Sequence, residues 1–322
     1  MVIDVHTHHV PRGWPELGWP GAPRLRVESE REATILVNDR EFRKIQDDCW
    51  DPRVRLAQMD RDGVDRQVVS PTPVFFGYDR PSEEGMRIAK IFNDLALEIC
   101  TDARLIPFCQ VPLQDPALAC EEIDRCVANG HRGVEIGNHV GDRDLDDPGV
   151  VEFLQHCADS GVPVFVHPWD LPTGPRVERW MAQWLVGMPA ETHLSILAMI
   201  LGGVFDRVPG TLRICFAHGG GSFAFWLGRF ENAWHRRHDL VGVSERPPSH
   251  YLGRFSVDSA VFDERALRLL VDTLGEDHVM LGTDFPYPLG EAPAGDLIRR
   301  AGFLSGTARA KLLAANAEAF LG

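Results

Sequence analysis

The chain opens Met1-Val2-Ile3-Asp4-Val5-His6-Thr7-His8-His9-Val10. Val2–Val5 is a short apolar, β-branched run that reads as a strand, and it leads directly into two histidines spaced i and i+2. Strand side chains alternate between faces, so His6 and His8 point to one side and His9 to the other. Two imidazoles thus converge on one point. An isolated His-x-His is a weak sign, because packing or surface histidines make the same pattern. The rest of the chain decides its weight.

Seven further short strands are read at Arg66–Ser70, Leu105–Val111, Gly133–Ile136, Val162–Val166, Arg213–Ala217, Phe255–Ser259 and Val279–Gly282, separated by helical stretches. Strands alternating with helices indicate βα units and a parallel sheet, and eight of them predict a closed (β/α)₈ TIM barrel of the α/β class. His167 follows the fifth strand, His218 the sixth, and Asp284 the eighth. Taken singly, each is as readily a satisfied core histidine or a loop carboxylate. Together with His6 and His8 they all fall at the strand ends where barrel active sites lie, and imidazole plus carboxylate suits a divalent ion such as Zn²⁺ at roughly 2.0–2.2 Å. Between the first two strands, residues 24–46 alternate apolar and polar positions, which predicts an antiparallel hairpin capping the barrel mouth.

A length of 322 residues is accommodated by one barrel domain, 1–322, carrying that insertion. The net charge of −14 disfavours nucleic acid or an anionic membrane as partner, so an anionic substrate needs specific arginines to hold it. Seven cysteines with no Cys-x-x-Cys pair predict free thiols rather than a disulfide framework. No uninterrupted apolar run reaches the roughly 18 residues of a membrane helix, and the N-terminus lacks the basic flank and apolar stretch of a signal peptide. A cytoplasmic location is the expectation.

Longer stretches carry a resemblance: CWDP (49–52), VFVHPWD (164–170), WLVGMPAET (184–192), CFAHGGGSFAF (215–225) and LGTDFPYPLGE (281–291). With the strand-end histidines and Asp284, the chain resembles the amidohydrolase superfamily and, in its metal-dependent decarboxylase branch, the aminocarboxymuconate semialdehyde decarboxylases. The resemblance implies His6, His8, His167 and Asp284 as ligands of one divalent ion, taken as Zn²⁺. It makes His218 the general acid/base, with Asp284 able to share the proton transfer. It implies Arg43 and Arg229 as carboxylate-binding residues and Trp180 as a substrate-lining ring. Binuclear members of the superfamily need a lysine after the fourth strand. This chain has only Lys44, Lys90 and Lys311, and that strand runs into Gly137-Asn138-His139, so a single ion is expected. His139 is read as packing in its loop, and Trp184 as core.

The implied reaction is nonoxidative decarboxylation of 2-amino-3-carboxymuconate 6-semialdehyde, a step of tryptophan or nitrobenzoate breakdown, with no redox cofactor. Alternatives are a related decarboxylase, hydratase or lactone hydrolase acting on another small unsaturated or aromatic acid, or a noncatalytic barrel. One departure concerns Phe285-Pro286-Tyr287, where the family order is Tyr-Pro-Phe. Tyr287 therefore places a hydroxyl where the family has a bare ring, which is expected either to add a hydrogen bond to the substrate or to mark a shifted substrate. The resemblance also implies a homodimer in which Arg229 serves the partner's site. In a helix beginning near Ser222, which is read as its cap, Arg229 lies seven residues along, about 10 Å from the mouth at 1.5 Å per residue. Phe225, Trp226, Phe230 and Trp234 of the same helix would supply a subunit contact.

Overall fold

The computed structural model describes residues 1–322. The strands in chain order are β1 (Ile3–His9), β2 (Arg24–Val27), β3 (Glu32–Val37), β4 (Arg40–Gln46), β5 (Arg66–Pro71), β6 (Leu105–Cys109), β7 (Gly133–Gly137), β8 (His139–Val140), β9 (Arg143–Asp144), β10 (Val164–His167), β11 (Ile214–Phe216), β12 (Ser256–Asp258) and β13 (Val279–Met280). Eight of them form one parallel sheet in the order β1-β5-β6-β7-β10-β11-β12-β13. Each of the eight matches a strand expected from the sequence, with ends shifted by a few residues. The sheet closes on itself. Val5 donates to the Leu281 carbonyl at 2.9 Å, Asp284 to that of His6 at 2.9 Å, and His8 to that of Phe285 at 2.7 Å. These bonds run past the short end of β13 and tie the first strand to the segment that carries Asp284.

Helices surround the sheet, and their caps follow local chemistry. Asp51, Asp115, Asp147 and Asp263 each accept hydrogen bonds from the first backbone amides of the helices Pro52–Asp62, Pro116–Ala128, Pro148–Ser160 and Glu264–Leu274, satisfying donors that a helix end leaves open. The largest apolar cluster, 42 buried residues, lies between strands and helices. A second fills the barrel interior, where Ile3, Val5, Phe108, Phe165, Cys215 and Met280 meet Ala317 and Phe320 of the C-terminal helix. That helix plugs the end opposite the catalytic mouth.

One expectation is corrected. The insertion is a three-stranded antiparallel sheet, β2-β3-β4, rather than a two-stranded hairpin. The polar run around Ser29 turns the chain once, and Asn38 and Asp39, both at positive φ, turn it again; Asn and Asp tolerate that conformation best after glycine. The expectation of no uninterrupted apolar run of membrane length stands: Gln183–Leu201 is a helix long and apolar enough to cross a membrane by length and composition, but Glu191, Thr192, His193 and Ser195 interrupt it. Its buried positions include Ser195, Ile196, Met199 and Ile200, of which Ile196, Met199 and Ile200 belong to the core cluster of the barrel wall. All seven cysteines are free.

Candidate metal centre and active site

The strand ends bring five groups together at one mouth of the barrel. His6 Nε2 lies 3.1 Å from His8 Nε2, and Asp284 Oδ1 lies 3.6 and 3.3 Å from those two nitrogens. His167 packs against both rings, with centroids 5.1 and 4.9 Å away. Donor atoms of His6, His167, His218 and Asp284 all lie within 4.8 Å of one another. His218 thus stands inside the cluster as well, and distance alone admits it as a ligand.

Tautomers separate the histidines. His8 Nδ1 donates to the Pro71 carbonyl at 3.1 Å and His167 Nδ1 to the Pro168 carbonyl at 3.0 Å, while His6 Nδ1 donates to Asp258 Oδ2 at 2.6 Å. A carbonyl or carboxylate can only accept, so each of these rings keeps a proton on Nδ1 and turns Nε2, the nitrogen free to give up a proton when an ion arrives, toward the cluster. His167 Nε2 is buried without any partner. A buried acceptor left open costs free energy unless something fills it. Three inward Nε2 atoms beside a carboxylate fit a divalent cation, and the outward hydrogen bonds are the usual orienting contacts of metal-binding histidines. His218 differs: its Nδ1 has no partner and its Nε2 is 4.0 Å from Asp284 Oδ2, so no outward acceptor holds its tautomer.

Charge divides the metal-free site differently, setting His6 apart from the other three imidazoles. Burial would raise the pKa of Asp284, yet the His8 hydrogen bond and the positive potential of His6 hold it down at about 2. Burial disfavours charge on His6, but the Asp258 hydrogen bond and the charges of Asp258 and Asp284 outweigh it, raising its pKa to about 9. His8 is lowered by burial to about 4. His167 and His218 are also lowered, first by burial and then by neighbouring imidazoles. His9 points to the opposite face, fully buried and without partners, and burial lowers it to about 3.

Three groups escaped the sequence reading. Asp4 accepts from the His6 amide at 3.2 Å, and from the amide and hydroxyl of Thr283 at 3.1 and 2.6 Å, joining β1 to the Asp284 loop. Arg55, fully buried, donates to the His8 carbonyl and to Thr7 Oγ1, the latter at 3.1 Å. Asp258 has been met already. Their only sequence signal was polarity inside otherwise apolar or helical runs, Asp4 and Asp258 within strands.

Of the predicted substrate groups, Arg43 on β4 reaches the mouth, its guanidinium stacked 3.9 Å over the ring of Tyr287. That ring also packs at 5.4 Å against His8. The Tyr287 hydroxyl donates to Thr72 Oγ1, which passes its own proton to the His9 carbonyl at 2.8 Å. The expectation that this hydroxyl faces substrate is therefore corrected: it is spent inside the protein, and the ring is a platform between His8 and Arg43. Trp180 and Arg229 are not brought in. Trp180 is 73% exposed and Arg229 is exposed on the helix Phe223–Arg236. Trp184 is half-buried. Ser222 stands at the N-cap of that helix, but its side chain makes no capping bond. His139 Nδ1 bonds the Gly141 carbonyl at 2.7 Å in the β8–β9 ribbon, in keeping with a packing role. After His218, Gly221 sits at φ +63, and a Cβ there would lie 2.1 Å from the Pro189 carbonyl oxygen, so only glycine fits.

This barrel, with its imidazoles and carboxylate at the strand ends, is that of a metal-dependent hydrolase or lyase. The model of the amidohydrolase family matches residues 3–322, and the chain belongs to that family. It is 42% identical to the 2-amino-3-carboxymuconate-6-semialdehyde decarboxylase of Dictyostelium discoideum, over 100% of this chain and 92% of that one. Among solved structures, the 5-carboxyvanillate decarboxylase of Sphingomonas paucimobilis superposes with a TM-score of 0.82 at 26% identity, covering 99% of this chain and 98% of that one. The 5-carboxyvanillate decarboxylase of Novosphingobium aromaticivorans, solved with manganese and 4-hydroxy-3-methoxy-5-nitrobenzoic acid, gives 0.74 at 25% identity over 85% and 81%. The family resemblance read from the motifs is borne out.

Proposed function

We propose that this enzyme removes one carboxylate of 2-amino-3-carboxymuconate 6-semialdehyde as CO₂, without redox chemistry, using one divalent ion per chain. The carrying observation is the tautomer pattern: three histidines with Nε2 turned inward beside Asp284, and a fourth whose tautomer is free. His6, His8, His167 and Asp284 hold the ion, and His218 moves the proton. Identity to the Dictyostelium enzyme over the whole chain supports the substrate. Zn²⁺ suits the nitrogen-rich donor set, while manganese occupies a related decarboxylase. When bound, the ion supplies Lewis acidity and a template for the substrate.

The chain's own residues do the rest. Arg43, stacked on Tyr287, presents a fixed guanidinium that pairs with a carboxylate in bidentate fashion. His218 delivers a proton to the carbon that bears the departing carboxylate. The C–C bond then breaks, its electron pair returns to the π system, and the proton remains where CO₂ was. Burial lowers the pKa of His218, which makes it a readier proton donor once charged. Arg229 comes from the second copy of a homodimer; on its own chain it is exposed on the helix Phe223–Arg236. Phe225 and Trp226 beside it are 70% and 42% exposed, as an uncovered contact would be.

The test is to follow loss of the semialdehyde chromophore and CO₂ release with metal content measured on the same sample. Turnover of an aromatic carboxylic acid instead would keep the reaction and change the substrate; ring or ester opening without CO₂ would exclude decarboxylation. In the same assay His218→Ala is expected to lose about 10²–10⁴ in rate with its metal retained. Metal loss equal to that of His6→Ala would make His218 a ligand.

A further inference from the structure

Asp258 ends β12, fully buried, and its two oxygens serve two different parts of the site. Oδ2 takes the Nδ1 proton of His6 at 2.6 Å. Oδ1 accepts from the Gly219 amide at 2.8 Å and from the Ala260 amide at 3.0 Å. Gly219 immediately follows His218, and the two residues sit at φ +62 and +55, left-handed conformations that are unfavourable for a histidine. Such a turn persists only if its surroundings hold it, and the Gly219–Asp258 bond is its anchor in the barrel wall. Space for the pair is made by Gly282, where a Cβ would fall 2.7 Å from that of Asp258 and 2.8 Å from that of His6.

We infer that Asp258 is a positioning residue that couples the two halves of the reaction machinery. With one oxygen it fixes the His6 tautomer so that Nε2 faces the ion, and with the other it holds the turn that aims His218. The first role follows from geometry alone. The second rests on the reading of His218 as the proton donor. A neutral acceptor cannot do both, since the amide of an asparagine has one accepting and one donating end. Asp258→Asn can still accept from Gly219 and Ala260 through its carbonyl, but its amide then confronts the Nδ1 proton of His6. A metal ligand with a reversed outer partner typically loses about 10–100-fold in metal affinity.

The experiment compares Asp258→Asn, Asp258→Ala and wild type by chelator competition, by kcat at saturating metal, and by the ring resonances of His218 in histidine-labelled protein. Asp258→Asn is expected to bind metal about 10–100-fold more weakly while its His218 resonances stay near wild type. Asp258→Ala is expected to show the same weakening and, in addition, shifted His218 resonances and a lower kcat at saturating metal with little change in KM. Asp258→Ser, too short to span both partners, replaces the alanine variant if that one does not fold. Wild-type metal affinity in Asp258→Asn would overturn the tautomer role, and unmoved His218 resonances in Asp258→Ala or Asp258→Ser would overturn the coupling. The metal and resonance measurements need no substrate. An enzyme inactive on the semialdehyde would therefore count against the proposed function and leave this inference to be judged on its own.

Discussion

Two regions of the molecule, a closed side and an open side, are built differently. On the closed side, His6, His8 and His167 each have an outward acceptor, the strand carrying His6 and His8 is tied down by Asp4 and Arg55, and Arg43 lies flat on a pinned Tyr287. On the open side, Trp180, Leu185, Val186 and Phe225 are between 60% and 73% exposed, and Arg229 faces solvent. Large apolar side chains left exposed are candidate contact surfaces where they adjoin one another. The contrast teaches that the histidine–carboxylate cluster finds its supporting partners within the chain, whereas no side-chain hydrogen bond or ion pair holds Trp180 or Arg229.

The largest effect should come from breaking the closed side. Stripping the metal, or replacing His6 or Asp284 by alanine, is expected to reduce turnover to background, with activity of the stripped wild type restored by a divalent ion. Metal analysis alongside the assay checks this, and a fully stripped protein that stays active would remove the closed side from the chemistry.

On the open side, Arg229→Ala should lower kcat/KM by about 10–100-fold, the range of a lost charge-assisted hydrogen bond of about 1.5–3 kcal/mol. Mixing this variant with His218→Ala under subunit exchange tests where Arg229 acts. A hybrid dimer working in trans has one intact site of two, and random exchange makes half the dimers hybrid, so activity should return to about one quarter of wild type. Proven hybrids without recovery would place Arg229 on its own chain's site or outside any site.

A smaller effect is expected from pH in the metal-free protein. His8 and His9 have folded pKa values of about 4 and 3, below the unfolded value of about 6.5, and His167 and His218 are lowered too. Between those values the unfolded chain binds more protons, so their contribution is present above the unfolded pKa and lost as the pH falls. His6 has the opposite sign: raised to about 9, it contributes fully below 6.5 and its share fades as the pH rises toward 9. Asp4, raised by burial to about 7, and Glu135, raised by burial well above the usual carboxyl range, act in the same sense as His6 and oppose the acid-side loss. The Tm of the stripped protein should therefore fall from pH 7 to 5 only by the excess of the imidazole contribution, and should fall again from 7 to 9. A Tm that rises from pH 7 to 5 would show that the raised groups outweigh the buried neutral imidazoles.

The smallest change concerns the platform. Tyr287→Phe removes one hydrogen bond to Thr72 and should cost about 1 kcal/mol of stability, leaving kcat nearly unchanged because the ring still carries Arg43. Tyr287→Ala removes the platform itself and should raise KM. A large kcat loss in Tyr287→Phe would return the hydroxyl to the substrate.

Much of this architecture is legible along the chain. Strand–helix alternation and the placement of His6, His8, His167, His218 and Asp284 just past apolar runs are local patterns with periods of two and about 3.6 residues, so they survive without knowledge of the fold. The barrel and the metal cluster follow from them. Turn chemistry was read less well, and the insertion gained a third strand through Asn38 and Asp39. Other features were invisible because their partners are remote: His6 and Asp258 are 252 positions apart and Thr72 and Tyr287 215 apart. Closing the barrel brings such groups within hydrogen-bond distance, and no periodicity announces it. The sequence by itself determined which residues arrive at the mouth. Only the tertiary structure decided which nitrogen each histidine turns inward, that the Tyr287 hydroxyl is taken up by Thr72, and that Arg229 is left outside, since each depends on the one acceptor, donor or open space that closure sets beside it.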